Sequence, residues 1–222
     1  MHLSAADHAR VTEAVTAAEA QTDGEIVTIV ARRSDDYRDV ALHWAVLAML
    51  LALASLAVWP ALADALHAPF GDPWAETSPS GLLTVALIAA TVAFLIVRLA
   101  LARDGLRIAL TPGATRSRRV HRRALQLFRT GAEQRTTART GVLLYLSLDE
   151  HRAEIVADAG IHGRVSEDVW GDAMAALVAA VKDGRPGDGM AAAVGQIGMV
   201  LAEHFPRSEG DINELPDRLI EL

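Results

Sequence analysis

Asp158, His162 and Asp168 carry the most suggestive spacing in this sequence. They lie in "IVADAGIHGRVSED" (residues 155–168), where an apolar run ends in a knot of acid, glycine and imidazole. Carboxylates and imidazole are the groups that hold a divalent cation or move a proton. A metal-assisted hydrolase needs several of them converging on one point with an open position. Asp158 and His162 are therefore the candidate catalytic residues. Asp158, Asp168 and Glu25 are the candidate metal ligands, with Asp35 at the far end of Glu25's strand as a further contributor. A structural reading stands beside each role. Asp158 can accept N–H bonds from the turn around Gly160 and Gly163, Asp168 can serve a helix dipole, and His162 can be a solvated loop residue.

Convergence is limited by the chain itself. "GVLLYLSL" (141–148) and "AEIVADA" (153–159) are two apolar runs around the polar turn "DEHR", which predicts a β-hairpin. Asp149, Glu150 and His151 belong to that turn and read as ordinary turn residues. Asp158 and His162 lie at the other end of the returning strand, roughly 20 Å away if it is extended. The two groups cannot serve one ion.

Other chemistries find no support. The sequence holds no HExxH, no Walker A loop and no G-x-S-x-G elbow. With no cysteine, disulfides, thiolate metal sites and a thiol nucleophile are excluded. Gly160 to Gly163 is a bare G-x-x-G. The net charge of −7 gives no reason to expect nucleic acid as a partner.

The elements that must position these residues are of two kinds. Hydrophobic residues make up 51% of the chain but aromatics only 5%, so the excess is aliphatic, as in lipid-facing helices. It is concentrated in "VALHWAVLAMLLALASLAVWPALA" (40–63) and "GLLTVALIAATVAFLIV" (81–97), both without a formal charge. Each is long enough to cross a bilayer core, the second with Arg98 snorkelling. Arg32, Arg33 and Arg38 precede the first run. Arg98, Arg103, Arg107, Arg116, Arg118, Arg119, Arg122 and Arg123 follow the second, while the loop between holds acids and no Lys or Arg. The positive-inside rule then predicts a multi-pass protein of the bacterial inner (plasma) membrane with both termini cytoplasmic. Ala41/Ala45, Ala48/Ala52 and Ala86/Ala90 are small pairs at four-residue spacing, which permits close helix packing and a homo-oligomer.

The remaining segments predict a soluble domain. "MHLSAADHARVTEAVTAAEAQT" lacks the apolar core of a signal peptide and reads as a capped helix with Val11, Val15 and Ala18 on one face. Glu25 to Ala31 reads as a strand. Val120, Ala124, Leu127 and Phe128 form a helical stripe. Ser166 caps a further helix carrying Trp170, Met174, Leu177, Val178 and Val181, stopped at Gly184, and Met190, Val194, Ile197 and Leu201 form the last stripe. The acidic tail "RSEGDINELPDRLIEL" docks on the domain or on a partner.

This order, with "TDGEIVTIVARR", "TGVLLYLSLDEHRAEIVADAGIHGRV" and "DVWGDAMAALVAAVKDGRPGDGMAAAVGQIGMVLAEHFP", resembles the TPM domain family over about residues 3–33 and 117–206. More closely, the chain is similar to a bacterial membrane-anchored subgroup with an inserted transmembrane hairpin and an "NELPD" ending. The family includes a thylakoid-lumen acid phosphatase and photosystem II repair proteins. The resemblance implies an α/β fold: a TPM-like helix–sheet–helix domain with a mixed sheet, here with an inserted two-helix hairpin. It also implies calcium or another divalent metal as the cofactor of any activity. Many members are secreted, and this chain departs from that plan, so lumenal functions transfer poorly. The expected organisation is a first helix and strand in 1–39, the transmembrane hairpin in 40–103 with an external loop 64–80, the rest of the domain in 104–206, and an acidic tail in 207–222. The expected function is a two-span membrane protein displaying the domain as an interaction or assembly module for an unidentified protein partner. A metal-dependent phosphatase or related hydrolase is the alternative.

The predicted topology is checked with two single cysteines in a chain that has none. Ser78→Cys should react with an impermeant maleimide on intact cells and Ser208→Cys only after lysis; the reverse pattern inverts the topology.

Overall fold

A computed structural model describes residues 3–69, 78–131, 140–165, 167–209 and 215–222, without the side chains of Glu167, Asp168 and Asp172. The predicted Ser166 cap lies outside the described residues. The chain divides into two compact units, Met1–Asp35 with Gly113–Leu222, and Asp36–Pro112.

The first unit is a four-stranded mixed sheet between helical layers. Helix α1 (Ala5–Glu19) starts at a capping box, in which the Ser4 hydroxyl accepts from the Asp7 N–H and the Asp7 carboxylate accepts from the Ser4 N–H. Strand β1 (Glu25–Ala31) is rich in Ile, Val and Thr and buried along its whole length. After the second unit the chain returns as α6 (Gly113–Gly131), β2 (Gly141–Ser147) and β3 (Arg152–Ala157). It continues through a single turn, α7 (Ala159–His162), and a short 3-10 turn (Glu167–Trp170) into α8 (Gly171–Lys182) and α9 (Pro186–His204). Strand β4 (Ile220–Glu221) closes the chain. The strand order is β3-β2-β1-β4. β1 and β2 run parallel with Glu25 opposite Gly141, and β2 and β3 form the predicted antiparallel hairpin.

Alternation along the strands assigns the two faces. Val27, Ile29, Ala31, Leu143, Tyr145 and Val156 pack with Val120, Ala124 and Phe128 of α6. Ile26, Val30, Val142, Leu144 and Leu146 pack with α1, α8 and α9 through Val11, Val15, Leu177, Met190, Val194, Ile197 and Leu201. The helical stripes expected from the sequence are thus core. The tail does not stand apart from the domain. Ile220 and Glu221 pair parallel to Ile29 and Val30, and Leu215 and Leu219 are buried.

In the second unit, α2 (Arg38–Val58), α3 (Pro60–His67), α4 (Pro79–Ala100) and α5 (Asp104–Ala109) follow one another. The apolar run 40–63 is not one helix: Pro60 lacks an N–H to continue the ladder, so α2 ends at Val58 and α3 begins at Pro60 itself. α2 and α4 pack against each other. Ala45, Ala48, Ala52 and Leu56, with Val85, Ala86 and Ala90, fall on their least exposed stripes, so small residues line the packed faces. The opposite faces carry Leu50, Leu51, Leu83, Leu87, Ile96 and Leu99, all exposed. Both helices are long and apolar enough to cross a membrane, and only 22% and 11% of their most apolar windows are buried. A core helix of a water-soluble domain would bury its apolar face instead.

Helix α9 tests the packing of the first unit. A Cβ on Gly198 would lie 2.5 Å from the Ala18 Cβ of α1, whereas one on Gly195 would meet nothing within 4 Å. Gly198→Ala should therefore cost about 1–3 kcal/mol, and Gly195→Ala should raise stability by up to ~1 kcal/mol. Thermal unfolding of both variants in detergent checks this; shifts of the same sign would refute the α1–α9 contact.

Candidate functional site

Asp158 is the best-defined of the predicted site residues. It caps α7, where its Oδ1 accepts the Ala159 N–H at 2.7 Å. The residue is 4% exposed, and its Oδ2 is buried with no hydrogen-bond partner among the described residues. Its own N–H donates to the Gly141 carbonyl at 2.9 Å, which ties the end of β3 to the start of β2. His162, last residue of α7, is exposed. Asp168 has its backbone in the 3-10 turn, and its side chain lies outside the described residues.

Glu25 lies at the same end of the sheet as Asp158, in one row with it across Gly141. It begins β1, with β2 standing between it and the end of β3, so the two backbones are two strand spacings apart, roughly 10 Å. Its Oε2 accepts the Leu215 N–H at 3.2 Å. Asp35 follows the opposite end of β1 and pairs with Arg119 at 3.2 Å. Asp35 is therefore at the far end of the sheet from Asp158, while Glu25 shares its row. Among the described residues no three His, Asp or Glu side chains come together to hold a metal ion.

What surrounds Glu25 is an acid cluster built with the tail. The Glu19 Oε1 accepts the Ile26 N–H at 2.7 Å. Thr16 donates its hydroxyl to Asp217 Oδ2 at 2.7 Å. Burial pushes the Glu19 carboxyl up to about 8 against the pull of the Ile26 N–H, and the charges of Glu25 and Asp217 push the same way as burial. Glu19 therefore holds a proton at neutral pH. A signal for it existed in the sequence: Glu19 lies one turn beyond Val15, on the edge of the buried stripe of α1.

At the other end of the sheet, Glu150 is not the ordinary turn residue expected. It is buried, accepts the Ser34 N–H at 2.8 Å through Oε1, and accepts the Ser147 hydroxyl through Oε2. The Ser34 and Tyr145 hydroxyls are 2.9 Å apart. Asp149 instead meets Arg32. Nothing in "DEHR" separates a buried acid from an exposed one. The loop after β1 supplies an N–H, beside the Ser147 hydroxyl, that makes burial of Glu150 tolerable.

The remaining feature is a groove of about 420 Å³ along β3. Its floor is Ala153 to Ala157. One wall is His121 and Leu125 of α6, the other Trp170, Gly171 and Met174, with His162 at one end. β3 is an outer strand. The Asp158–Gly141 bond sets the antiparallel alternation, which turns the N–H and C=O groups of Ala153, Ile155 and Ala157 away from β2 toward the open edge. His121 Nδ1 lies 3.1 Å from Glu154 Oε2 at the rim. A larger cavity, about 510 Å³, lies among α2, α3 and α4, but apart from Asp64 its lining is apolar.

The Glu19 proton predicts a pH dependence. Its folded pKa lies above the unfolded 4.5, so its contribution is fully present below about pH 4.5 and is lost as pH rises through about 8. Glu19→Gln should leave stability unchanged at pH 4 and raise it near pH 8 by on the order of 1–2 kcal/mol, less than the full shift because the carboxyl is partly exposed. Unfolding midpoints across that range check it; a gap that does not grow with pH would show that Glu19 is not the proton carrier.

Comparison with known proteins agrees with this architecture. The TPM domain family matches residues 103–200. The NMR structure of the BA42 protein from the psychrophilic bacterium Bizionia argentinensis superposes with a TM-score of 0.57 at 19% identity, covering 100% of this chain and 97% of that one. At that identity the likeness is one of fold. No curated protein matches the sequence. With its helical layers and mixed sheet, the chain carries over residues 103–200 a segment that matches the TPM domain, in a fold like that of the BA42 protein.

Proposed function

We propose that this is a two-span protein of the bacterial inner membrane whose cytoplasmic TPM domain is a docking module, taking an extended segment of a partner protein along the open edge of β3. The groove over β3 carries this reading. It offers outward backbone donors and acceptors on Ala153, Ile155 and Ala157 between apolar walls, the arrangement by which a peptide adds as a strand. Main-chain pairing gives affinity there, and Leu125, Trp170 and Met174 offer contacts for alternate side chains. The two long apolar helices support the membrane setting, and the arginines flanking them support the cytoplasmic orientation.

The test uses a photocrosslinking residue in place of His121, with and without Ala153→Pro. Proline there removes an N–H that points to the open edge and spares the ladder to β2. A discrete adduct that disappears in the Ala153→Pro protein, with unfolding unchanged, is expected; an adduct indifferent to it would sink the proposal.

A second reading rests on Asp158, whose Oδ2 is buried with no hydrogen-bond partner among the described residues. Such a carboxylate is costly unless a ligand or ion engages it. That reading makes the domain a metal-dependent phosphatase or related hydrolase. Generic phosphoesters turned over with added calcium, magnesium or manganese, and not by Asp158→Asn, would favour it. Turnover equal in the two proteins would remove Asp158 from the chemistry.

A further inference from the structure

We propose that the solvent face of α6 is an anionic-phospholipid contact, made by Arg118, Arg122 and Arg129. This rests on the membrane reading above. α6 carries no Asp or Glu over its 19 residues, in a chain whose net charge is −7, so its positive charge is local and not a general basicity. Its core side is Val120, Ala124 and Phe128. At 100° per residue, Arg118, Arg122 and Arg129 fall within about 40° of one another on the opposite side, and all three are exposed.

The other arginines of the block are used differently. Arg119 pairs with Asp35, and Arg107 with Asp104. Arg123 stands near enough to Tyr145 for its charge to act on the phenol. Arg116 is half-buried, its Nε without a hydrogen-bond partner among the described residues. Among the described residues no carboxylate pairs with Arg118, Arg122 or Arg129, and His121 beside them meets Glu154 instead. The arginines of α6 therefore divide into Arg116, Arg119 and Arg123, turned toward other groups of the domain, and an outward stripe of Arg118, Arg122 and Arg129.

Phosphate is the ligand this stripe suits. Guanidinium offers parallel N–H donors to two oxygens of one headgroup. α4 ends at Ala100 and α6 begins at Gly113. Twelve residues lie between them, reaching at most roughly 40 Å, so the stripe is tethered to any membrane that α4 crosses. A tethered cationic face needs little intrinsic affinity to be occupied by anionic lipid.

The absence of cysteine makes the test direct. Gln126→Cys, exposed between Arg122 and Arg129, takes a single fluorophore. The full chain is reconstituted in nanodiscs of phosphatidylcholine alone or with about one third phosphatidylglycerol, each holding a trace of headgroup-attached quencher. Quenching about two-fold stronger in the anionic discs is expected. It should fall to the neutral value in Arg118→Gln/Arg122→Gln/Arg129→Gln and when salt is raised from about 0.05 to 0.5 M. The triple variant should unfold at the parent temperature, since none of the three side chains is in the core. Equal quenching in the two discs overturns the proposal while leaving the membrane reading intact. A response to added duplex oligonucleotide and not to lipid charge overturns it in favour of nucleic acid. A chain recovered outside the discs overturns both readings.

Discussion

The parallel pairing of β1 with β2 is the constraint on which the rest depends. Glu25 to Ala31 lie beside Gly141 to Ser147, with more than a hundred residues of chain between them. Parallel neighbours cannot be joined by a tight turn, and the crossover here contains a whole second unit before α6. The sheet tolerates this because the chain leaves the first unit at Asp35 and re-enters it at Gly113, and whatever lies between must begin and end where the sheet allows. The intervening unit holds α2 and α4, which pack against each other.

The pairing is reinforced beyond the strand ends. The Leu148 N–H donates to Ala31 and the Asp149 N–H to Arg32, so the ladder runs on into the turn. Glu150 then fastens Ser34, and Ser34 meets Tyr145. This places the exit toward α2 under the control of a buried carboxylate on a hairpin turn. At the opposite end Thr140 donates its hydroxyl to the Asp23 carbonyl and Thr22 bridges to Pro206. Both ends of β1 are thus held from distant parts of the sequence, with the tail strand completing its open side.

Closing β1 with the tail has a chemical consequence. Leu215 to Glu221 brings Asp217 to Glu19 and Glu25, and a carboxyl in that company keeps its proton. β3 is left as the longer open edge, flanked by helices of both layers, and that is where the groove forms. A two-residue β4 gives the opposite edge little to offer another chain.

Much of this was legible in the residues, and the division follows the range of the interactions. The capping box at Ser4, the stripe Val120–Ala124–Phe128, the hairpin around "DEHR" and the stop at Gly184 are local, set by contacts within a few residues, and periodicity reports them directly. The two apolar helices are equally local, although Pro60 had to be weighted against the run that contains it. Asp158, His162, Asp168 and Glu25 could be nominated by type, but their spacing is a property of strand order and register, which sets Glu25 and Asp158 two strands apart in one row across Gly141. Glu150 and Asp149 are adjacent in sequence, yet Glu150 is buried with donors from Ser147 and from Ser34, 116 positions away, while Asp149 meets Arg32. The tail reads as acidic and ready to dock on the domain or on a partner, and only the fold shows that Ile220 takes the side of β1 that β2 does not occupy. The sequence by itself determined which segments are helix, strand or bilayer-long; tertiary structure alone decided which charges are buried, shared or left facing outward, because that depends on partners brought close only by the sheet.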